Sequence, residues 1–420
     1  MSPRNRPGNF RREARRLEGE CAHKFGWETT RMIERQPAEQ NRKKRNGAHA
    51  PRKRLALNGR FSGTLKPTGT QTVAFHLYDA ILRQPRDFDL VIYADSRFAG
   101  VAAWKDAPGV EFVETPFSDW SRSKAQLWEQ LTVSRDARRR GCSLVHHPIT
   151  TCPFARSGIR HLVTMHDVGF YDYPAGFSAA FLFYLRHICG PGFRRADHLV
   201  AVSDYTVRTV KQYLHVPDER ITRVYNGLKP MGGLERVREL PRDPNVIFGI
   251  NLWQPHKGLP RLLEAFTRLR VGRPELELHL AGRPQGMFRD QPELAAKLQA
   301  PGVKLLGYIS DEELAKAYAT CAVCAYPSSS EGFGLPVLEA MAAGAPVVTS
   351  TATALPEVAG GHAFLVDPLS IDSITHGLRA ALEEAPAARA QRVAQGRAWA
   401  AGFTWQNAAR DYVGIFQRFL

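Results

Sequence analysis

The strongest constraint on the fold is a grammar that runs from Leu55 to the end of the chain. Short apolar runs alternate with stretches that carry a helical apolar face. Residues 55–57, 88–93, 111–113, 144–147, 161–165 and 198–202 read as strands, with helices over 70–82 and 204–214. After a segment rich in glycine, proline and charge, the same alternation restarts with strands at 246–250, 276–280, 303–306, 322–326 and 346–349. A last helix begins at Trp405. Apolar strands that alternate with helices imply a parallel sheet covered on both faces. Two such runs predict an α/β chain of two doubly wound domains facing a cleft. The expected boundaries are 55–228, a linker at 229–243, a second domain at 244–402 and a terminal segment at 403–420. Ligands of such sheets bind beyond the carboxyl ends of the strands, so the loops there are the ones to read for chemistry.

The first 54 residues do not share this grammar. They hold sixteen Lys/Arg against six Asp/Glu, and they include Arg42-Lys-Lys-Arg45 and Arg52-Lys-Arg54. Polar, charged stretches of this kind are expected to be disordered. Three readings of residues 1–54 stand: attraction to anionic lipid, nonspecific contact with nucleic acid, or no role. The formal net charge of the whole chain is +16, so this segment supplies most of the imbalance. Nothing approaches the ~18 consecutive apolar residues of a membrane span. The N-terminus lacks the apolar stretch of a secretory signal. Six cysteines in 420 residues make no disulfide framework. Cys321 and Cys324 form a C-x2-C, but they lie in an apolar run and read as buried strand residues.

The sharpest local signal is Pro327-Ser-Ser-Ser-Glu331-Gly-Phe-Gly-Leu-Pro336-Val-Leu-Glu339, continuing through Gly344-Ala-Pro346. A strand ends at Tyr326, and a polar loop with two glycines leads into a helix. Pro336 suits a first helical turn, where its missing N–H costs nothing. Gly332 and Gly334 let backbone approach a ligand closely, and free N–H groups at the helix start favour an anion such as a diphosphate. Glu339 is expected in the first turn, placed to accept paired hydrogen bonds from a ribose diol. Glu331 could accept from a sugar hydroxyl. Either glutamate alone reads as an ordinary acid near a helix N-terminus; two of them eight apart around Gly-Phe-Gly-Leu-Pro are far more specific.

At these residues the chain resembles the retaining GT-B glycosyltransferases of glycosyltransferase family 4, through the E-x7-E signature from Glu331 to Glu339. The resemblance implies two Rossmann-like domains, with the second holding a nucleotide-sugar. It implies that Glu339 holds the nucleotide ribose and that Glu331 lies by the donor hexose. The backbone of Gly332, Phe333, Gly334 and Leu335 would touch sugar and phosphate. Thr164-Met-His166-Asp167 is similar to the family's strand-end His-Asp, where the histidine contacts the hexose. Alone, a histidine after an apolar strand would read as structural. Gln254-Pro-His256-Lys257-Gly258 is similar to the stretch whose lysine neutralises the donor diphosphate. Some members carry an arginine six residues before that lysine; here Asn251 stands there, with Arg283 as the candidate substitute. Gly307-Tyr308-Ile309 resembles the loop at the nucleobase. Pro67-Thr-Gly69-Thr-Gln71 resembles the family's single-glycine variant of the first-domain loop. Ala201-Val-Ser203 and Tyr225-Asn226-Gly227 resemble a strand end and an interdomain turn, and the helix from Trp405 is expected to cross back to the first domain.

The activity so implied is retaining transfer of a hexosyl unit, mannosyl by family frequency, from GDP- or UDP-hexose to an acceptor hydroxyl. Neither a metal nor a further cofactor is expected. Bacterial polysaccharide or lipopolysaccharide assembly is the expected setting. The expected partners are the donor and a glycan or lipid-linked acceptor, with peripheral contact of the basic chain to an anionic membrane. Nucleic acid is not expected, and the expected location is the cytoplasm or the inner face of the plasma membrane. The rival from another class, a nucleotide-sugar or nucleic-acid binding module without catalysis, predicts a damaged catalytic block. Glu331, Glu339, Lys257 and His166 are all present.

Overall fold

A computed structural model describes residues 52–64, 69–155, 157–282 and 292–420. The basic segment, apart from Arg52, Lys53 and Arg54, lies outside the described residues, as do Arg283 and Pro67. Two parallel sheets organise the rest. The first has seven strands: β1 (Arg54–Asn58), β2 (Asp89–Ala94), β3 (Val110–Glu114), β4 (Leu144–His147), β5 (Arg160–Met165), β6 (His198–Ala201) and β7 (Ile221–Arg223), in the order β3-β2-β1-β4-β5-β6-β7. The second has six: β8 (Asp243–Ile250), β9 (Glu277–Ala281), β10 (Val303–Gly307), β11 (Cys321–Tyr326), β12 (Val347–Ser350) and β13 (Phe364–Val366), in the order β10-β9-β8-β11-β12-β13. In both orders the direction of winding reverses beside the first strand, the place where doubly wound sheets bind ligands.

The central strands β1 and β11 are buried along almost their whole length, as expected of parallel strands covered on both faces. Cys321 and Cys324 are free thiols inside β11, as the apolar run implied. The edge strands β7 and β13, only three residues each, were not legible from apolar periodicity. Their register comes from pairing with β6 and β12, not from a pattern of their own.

The segment at 229–243 is more structured than a linker. It holds a short helix, Leu234–Val237, whose Val237 packs on Ala315 and Ala319 of the helix Asp311–Thr320. Lys229 Nζ also lies 2.7 Å from Asp311 Oδ1.

The chain then crosses between the sheets twice. At the first crossing Gly227 lies so close to the second that an added Cβ would stand 2.3 Å from the Trp405 nitrogen. Leu228 N–H donates to the Phe403 carbonyl at 2.9 Å. The helix Trp405–Phe419 that follows belongs to the core of the first sheet: Tyr412 and Phe416 are buried beside His146, and Thr164 Oγ1 and Tyr412 OH are 2.7 Å apart.

Replacing Phe416 tests how firmly this helix is anchored. Phe416→Ala is expected to lower unfolding free energy by about 3–5 kcal/mol, the usual cost of deleting a buried aromatic. Denaturant titration of the pure protein reads it, and a loss below about 1 kcal/mol would mean the helix is not part of the first core.

Candidate active site

The candidate site gathers at the carboxyl ends of both sheets. On the second sheet, Lys257 follows β8, Tyr308 follows β10, Glu331 follows β11 and Thr353 follows β12. On the first, His166 follows β5 and Ser203 follows β6.

The loop after β11 is built from within. Thr349 Oγ1 donates to the Tyr326 carbonyl at 2.9 Å, and Ser350 Oγ to that of Ser328 at 2.6 Å. Ser329 N–H and Oγ–H both donate to the His256 carbonyl, at 2.7 and 3.1 Å. Gly258 (φ +78°) approaches so closely that a Cβ would meet the Pro327 carbonyl oxygen at 2.5 Å. The loops carrying Lys257 and Glu331 are therefore one unit, which places the two side chains together.

Lys257 Nζ bonds Glu331 Oε1 directly. Tyr326 OH closes a triangle, 2.7 Å from Lys257 Nζ and donating to Glu331 Oε1 at 2.8 Å. Both charged side chains are 13% exposed. Burial opposes ionisation of Glu331, but Lys257 and the Tyr326 hydroxyl outweigh it and hold the carboxyl below its ordinary value. At neutral pH Glu331 therefore accepts hydrogen bonds and has no proton to give.

Glu339 is perturbed the other way. Burial raises its carboxyl above the ordinary value, against the charge of Lys229 and a 3.2 Å hydrogen bond from Tyr318 OH. It lies one residue later in the helix than expected. Gly334 caps the helix in a left-handed conformation (φ +106°), so the helix runs Leu335–Ala343 and its first turn contains no acid. Pro336 takes the first-turn position.

His166 is 9% exposed. Its Nε2–H donates to the Pro148 carbonyl at 2.8 Å, and its backbone N–H donates to Thr150 Oγ1 at 3.0 Å. Burial lowers its pKa to about 4. A neutral ring with Nε2 protonated offers Nδ1 as an acceptor.

The two domains meet at Gly332. A Cβ there would stand 1.7 Å from the His166 carbonyl oxygen. The Gly332 carbonyl accepts from Ser203 Oγ at 2.7 Å and Thr206 Oγ1 at 3.2 Å. Nearby, Glu357 from the second domain accepts from the backbone N–H groups of Asp204 and Tyr205, at 2.7 and 3.1 Å. These are the opening residues of the helix Asp204–Leu214.

Phe333 turns into the protein, packed on Tyr225 and Phe403 with ring centroids 6.0 Å away in each case. Only its backbone is left for a ligand. Leu335 is half-buried and touches the cores of both sheets. Tyr308 is 80% exposed, while Ile309 packs on the second core. Gly69 opens the helix Gly69–Arg83, on the exposed side. Arg283 lies outside the described residues, so the substitute for the absent arginine is not placed. Asn251, at the arginine's position, adopts a left-handed backbone (φ +52°) that asparagine tolerates better than arginine.

Sequence reasoning missed Tyr326, Tyr318, Ser203's clamp on Gly332, and Thr353. The last holds a left-handed backbone (φ +58°) and accepts the Glu331 N–H at 3.1 Å. Tyr326 had one signal: a hydroxyl-bearing residue ends a fully buried strand at the binding edge. Thr353 had none.

Two family models match adjacent stretches: Glycosyltransferase Family 4 over residues 67–230 and Glycosyl transferases group 1 over residues 234–399. The chain belongs to the GT-B glycosyltransferases. The O-antigen chain mannosyltransferase B of Escherichia coli is 29% identical over 269 residues, 61% of this chain and 70% of the relative. The MMP alpha-(1->4)-mannosyltransferase of Mycolicibacterium hassiacum is 38% identical over 169 residues, 39% of this chain and 40% of the relative. The chain thus spans less than half of that second relative. Sucrose-phosphate synthase from Thermosynechococcus elongatus superposes with a TM-score of 0.66 at 18% identity, over 87% of this chain and 99% of that one.

The contact at Gly332 can be broken with one methyl group. Gly332→Ala is expected to fold, because the glycine lies in a loop between intact sheets, but with its domains apart. Small-angle scattering should give a larger radius of gyration than wild type. An unchanged radius would show that the clamp does not hold the two domains together.

Proposed function

We propose that this glycosyltransferase moves a hexosyl unit, mannosyl in the first instance, from a nucleotide-sugar to an acceptor hydroxyl with retention at the anomeric carbon. One observation carries the reading: Glu331 and Glu339 stand on one loop-helix unit with opposite perturbations, and Lys257 is held on the first of them. The mannosyl preference rests on the relatives that bear that activity in their names. Polysaccharide or lipopolysaccharide assembly follows from the same source and from an O-antigen relative in particular. Among the described residues no helix is long and apolar enough to cross a membrane. A lipid-linked acceptor would therefore be met at the surface, where the basic segment favours anionic headgroups.

In this reading Glu339 accepts from the two ribose hydroxyls. The N–H groups at the start of the helix Leu335–Ala343, with Lys257, face the diphosphate as the bond from the anomeric carbon to its oxygen lengthens. The acceptor oxygen bonds to the anomeric carbon on the same face. Its proton passes to the departing phosphate oxygen, which balances the step without a protein base. Glu331, ionised, and His166, through Nδ1, accept from sugar hydroxyls and fix the hexose for that approach.

Three outcomes test it. In a thermal-shift panel of UDP, GDP, ADP, CDP and their sugar conjugates, one base should raise the melting temperature, since a ligand of the folded state stabilises by mass action. A GDP-mannose response supports the mannosyl reading and a UDP-glucose response replaces it with glucosyl; no response to any nucleotide overturns the donor site. Glu339→Ala should then weaken nucleotide binding, whereas Glu331→Ala should cost turnover, about 100-fold or more, with the nucleotide still bound. Wild-type activity in both would sink the assignment.

The pH dependence separates the two acids. Glu339 must be ionised to accept both ribose hydroxyls, and its native pKa lies above the ordinary 4.5. Affinity for the nucleoside diphosphate should fall as pH is lowered through that raised value. Calorimetry at pH 7.5 and about 5 should show a drop that Glu339→Gln, which cannot titrate, flattens. An equal drop in the variant would assign the effect to the ligand's own phosphate.

A further inference from the structure

Away from the donor loops, the first sheet carries a buried polar cluster that the transfer chemistry does not use. Val145 pairs with His161 and His147 with Val163 across the β4–β5 ladder, so His147 and His161 lie diagonally on one face. His147 Nε2 and His161 Nδ1 are 3.1 Å apart. Cys152, in the connection between the two strands, completes a set whose ligand atoms all lie within 4.8 Å of one another. All three residues are buried.

We propose that His147, Cys152 and His161 form a site for a zinc-class divalent cation. Two imidazole nitrogens and a thiolate are the donor set that borderline-soft ions prefer, and tetrahedral bonds of about 2.0–2.3 Å need donors drawn to within about 3.3–3.8 Å. The histidine pair is already there; the thiolate must approach by less than a rotamer's reach.

The outer contacts fit as well. A metal-bound histidine donates its other N–H to a carboxylate or another oxygen. His161 Nε2 is 2.9 Å from Ser157 Oγ; His147 Nδ1 is 3.1 Å from Asn58 Nδ2 and 3.5 Å from Glu129 Oε1, so its proton would reach the carboxylate only with the Asn58 amide swung aside. Glu129 is fully buried, with Arg60 Nη2 3.2 Å from its Oε2. Binding would replace the one proton shared between the facing imidazoles, turn the His147 proton towards Glu129, and release the Cys152 proton to solvent. With the Cys152 thiolate formed, the cation adds one net positive charge to the interior, because the Glu129 carboxylate is already paired with Arg60.

Access exists. A cavity of about 1000 Å³ is lined by Cys152, Ser157 and His161 together with Ser143, Asp197 and Arg220, residues at or just before the amino ends of the strands. It lies at the end of the sheet opposite the donor loops.

The site also touches the reaction centre through one loop. The connection from His147 to Cys152 contains the Pro148 carbonyl and the Thr150 hydroxyl that hold His166, and Thr151 Oγ1 donates to Glu129 at 2.9 Å. A cation anchored at both ends of that loop would fix the orientation of His166. The three residues are thus positioning residues for the transfer reaction and not catalytic ones.

Metal content of the full chain decides the matter. After expression with zinc and dialysis, wild type should carry one more zinc per chain than Cys152→Ser. On reconstitution with Co²⁺, only wild type should show the near-ultraviolet thiolate band of this site. Ser157→Ala, which leaves the ligands in place, should weaken Co²⁺ about 10–100-fold while keeping that band. Should Cys152→Ser lose its circular dichroism signature, the Ser157→Ala titration decides alone. Equal zinc and identical Co²⁺ spectra in wild type and Cys152→Ser, or an unweakened Ser157→Ala, overturn the proposal. These readouts are independent of any nucleotide, so their failure is distinguishable from failure of the donor assignment.

Discussion

The structure depends on one backbone contact between domains. Gly332 lies against the His166 carbonyl with no room for a Cβ, and its own carbonyl is gripped by Ser203 and Thr206. Glu331 is the residue before it, and Gly334 opens the helix that carries Glu339 two residues after it. On the other side, His166 supplies the carbonyl and Ser203 caps the helix Asp204–Leu214. The two sheets are joined as well by the crossings at Gly227 and Phe403 and by Glu357 on the start of the helix Asp204–Leu214. Such an interface usually permits domain motion, so the glycine contact is suited to a closed state that can also open.

Electrostatically, the two glutamates of the signature are made unequal by their neighbours. Both are drawn out of water, which alone would raise both. Lys257 and Tyr326 reverse the effect at Glu331. At Glu339 the nearest cation, Lys229, is already paired with Asp311, and burial wins. Pairs of acids whose environments pull their pKa values apart mark sites with divided roles. Here the division follows from where each lysine is bonded: the β8 loop bonds Lys257 to Glu331, whereas the Lys229 that acts on Glu339 is bonded to Asp311.

Much of this was legible in the sequence. Parallel strands buried on both faces must be nearly continuous apolar runs, and β1, β2, β4, β5, β6, β8, β11 and β12 could be read that way. The edge strands β7 and β13 could not, because three residues hold no period. The E-x7-E block stood out as a candidate site because its glycines, proline and acids each have a separate physical reason to be there. What the sequence hid was contact between distant loops. Nothing in the order of residues says that Ser329 binds the His256 carbonyl, or that Tyr326 bridges Lys257 and Glu331. Glu339 falls just beyond the first turn where it was expected, because the helix begins at Leu335 after the left-handed cap Gly334. His147, Cys152 and His161 show the same limit, since their spacing matches no common metal pattern and only the ladder register brings them together.

Charge at the candidate site is sparser than a diphosphate partner would suggest. Asn251 stands where some family members have arginine. His256 is kept neutral, first by burial and then by Lys257, with its pKa lowered to about 4. Lys257 is bonded to Glu331, so that pair presents no net charge. A diphosphate entering beside the Gly334 helix start would compete with Glu331 for the ammonium. Were Lys257 to move towards phosphate, the Glu331 carboxylate would lose its strongest partner and be free to accept from a hexose that enters with the same ligand. Leaving it buried and unpaired would be costly, so the hydroxyl is needed when the lysine departs. Phosphate binding and hexose recognition would in that way be coupled through one ion pair. A nucleoside diphosphate lacking its sugar would strain the pair, while the intact donor satisfies both ends of it.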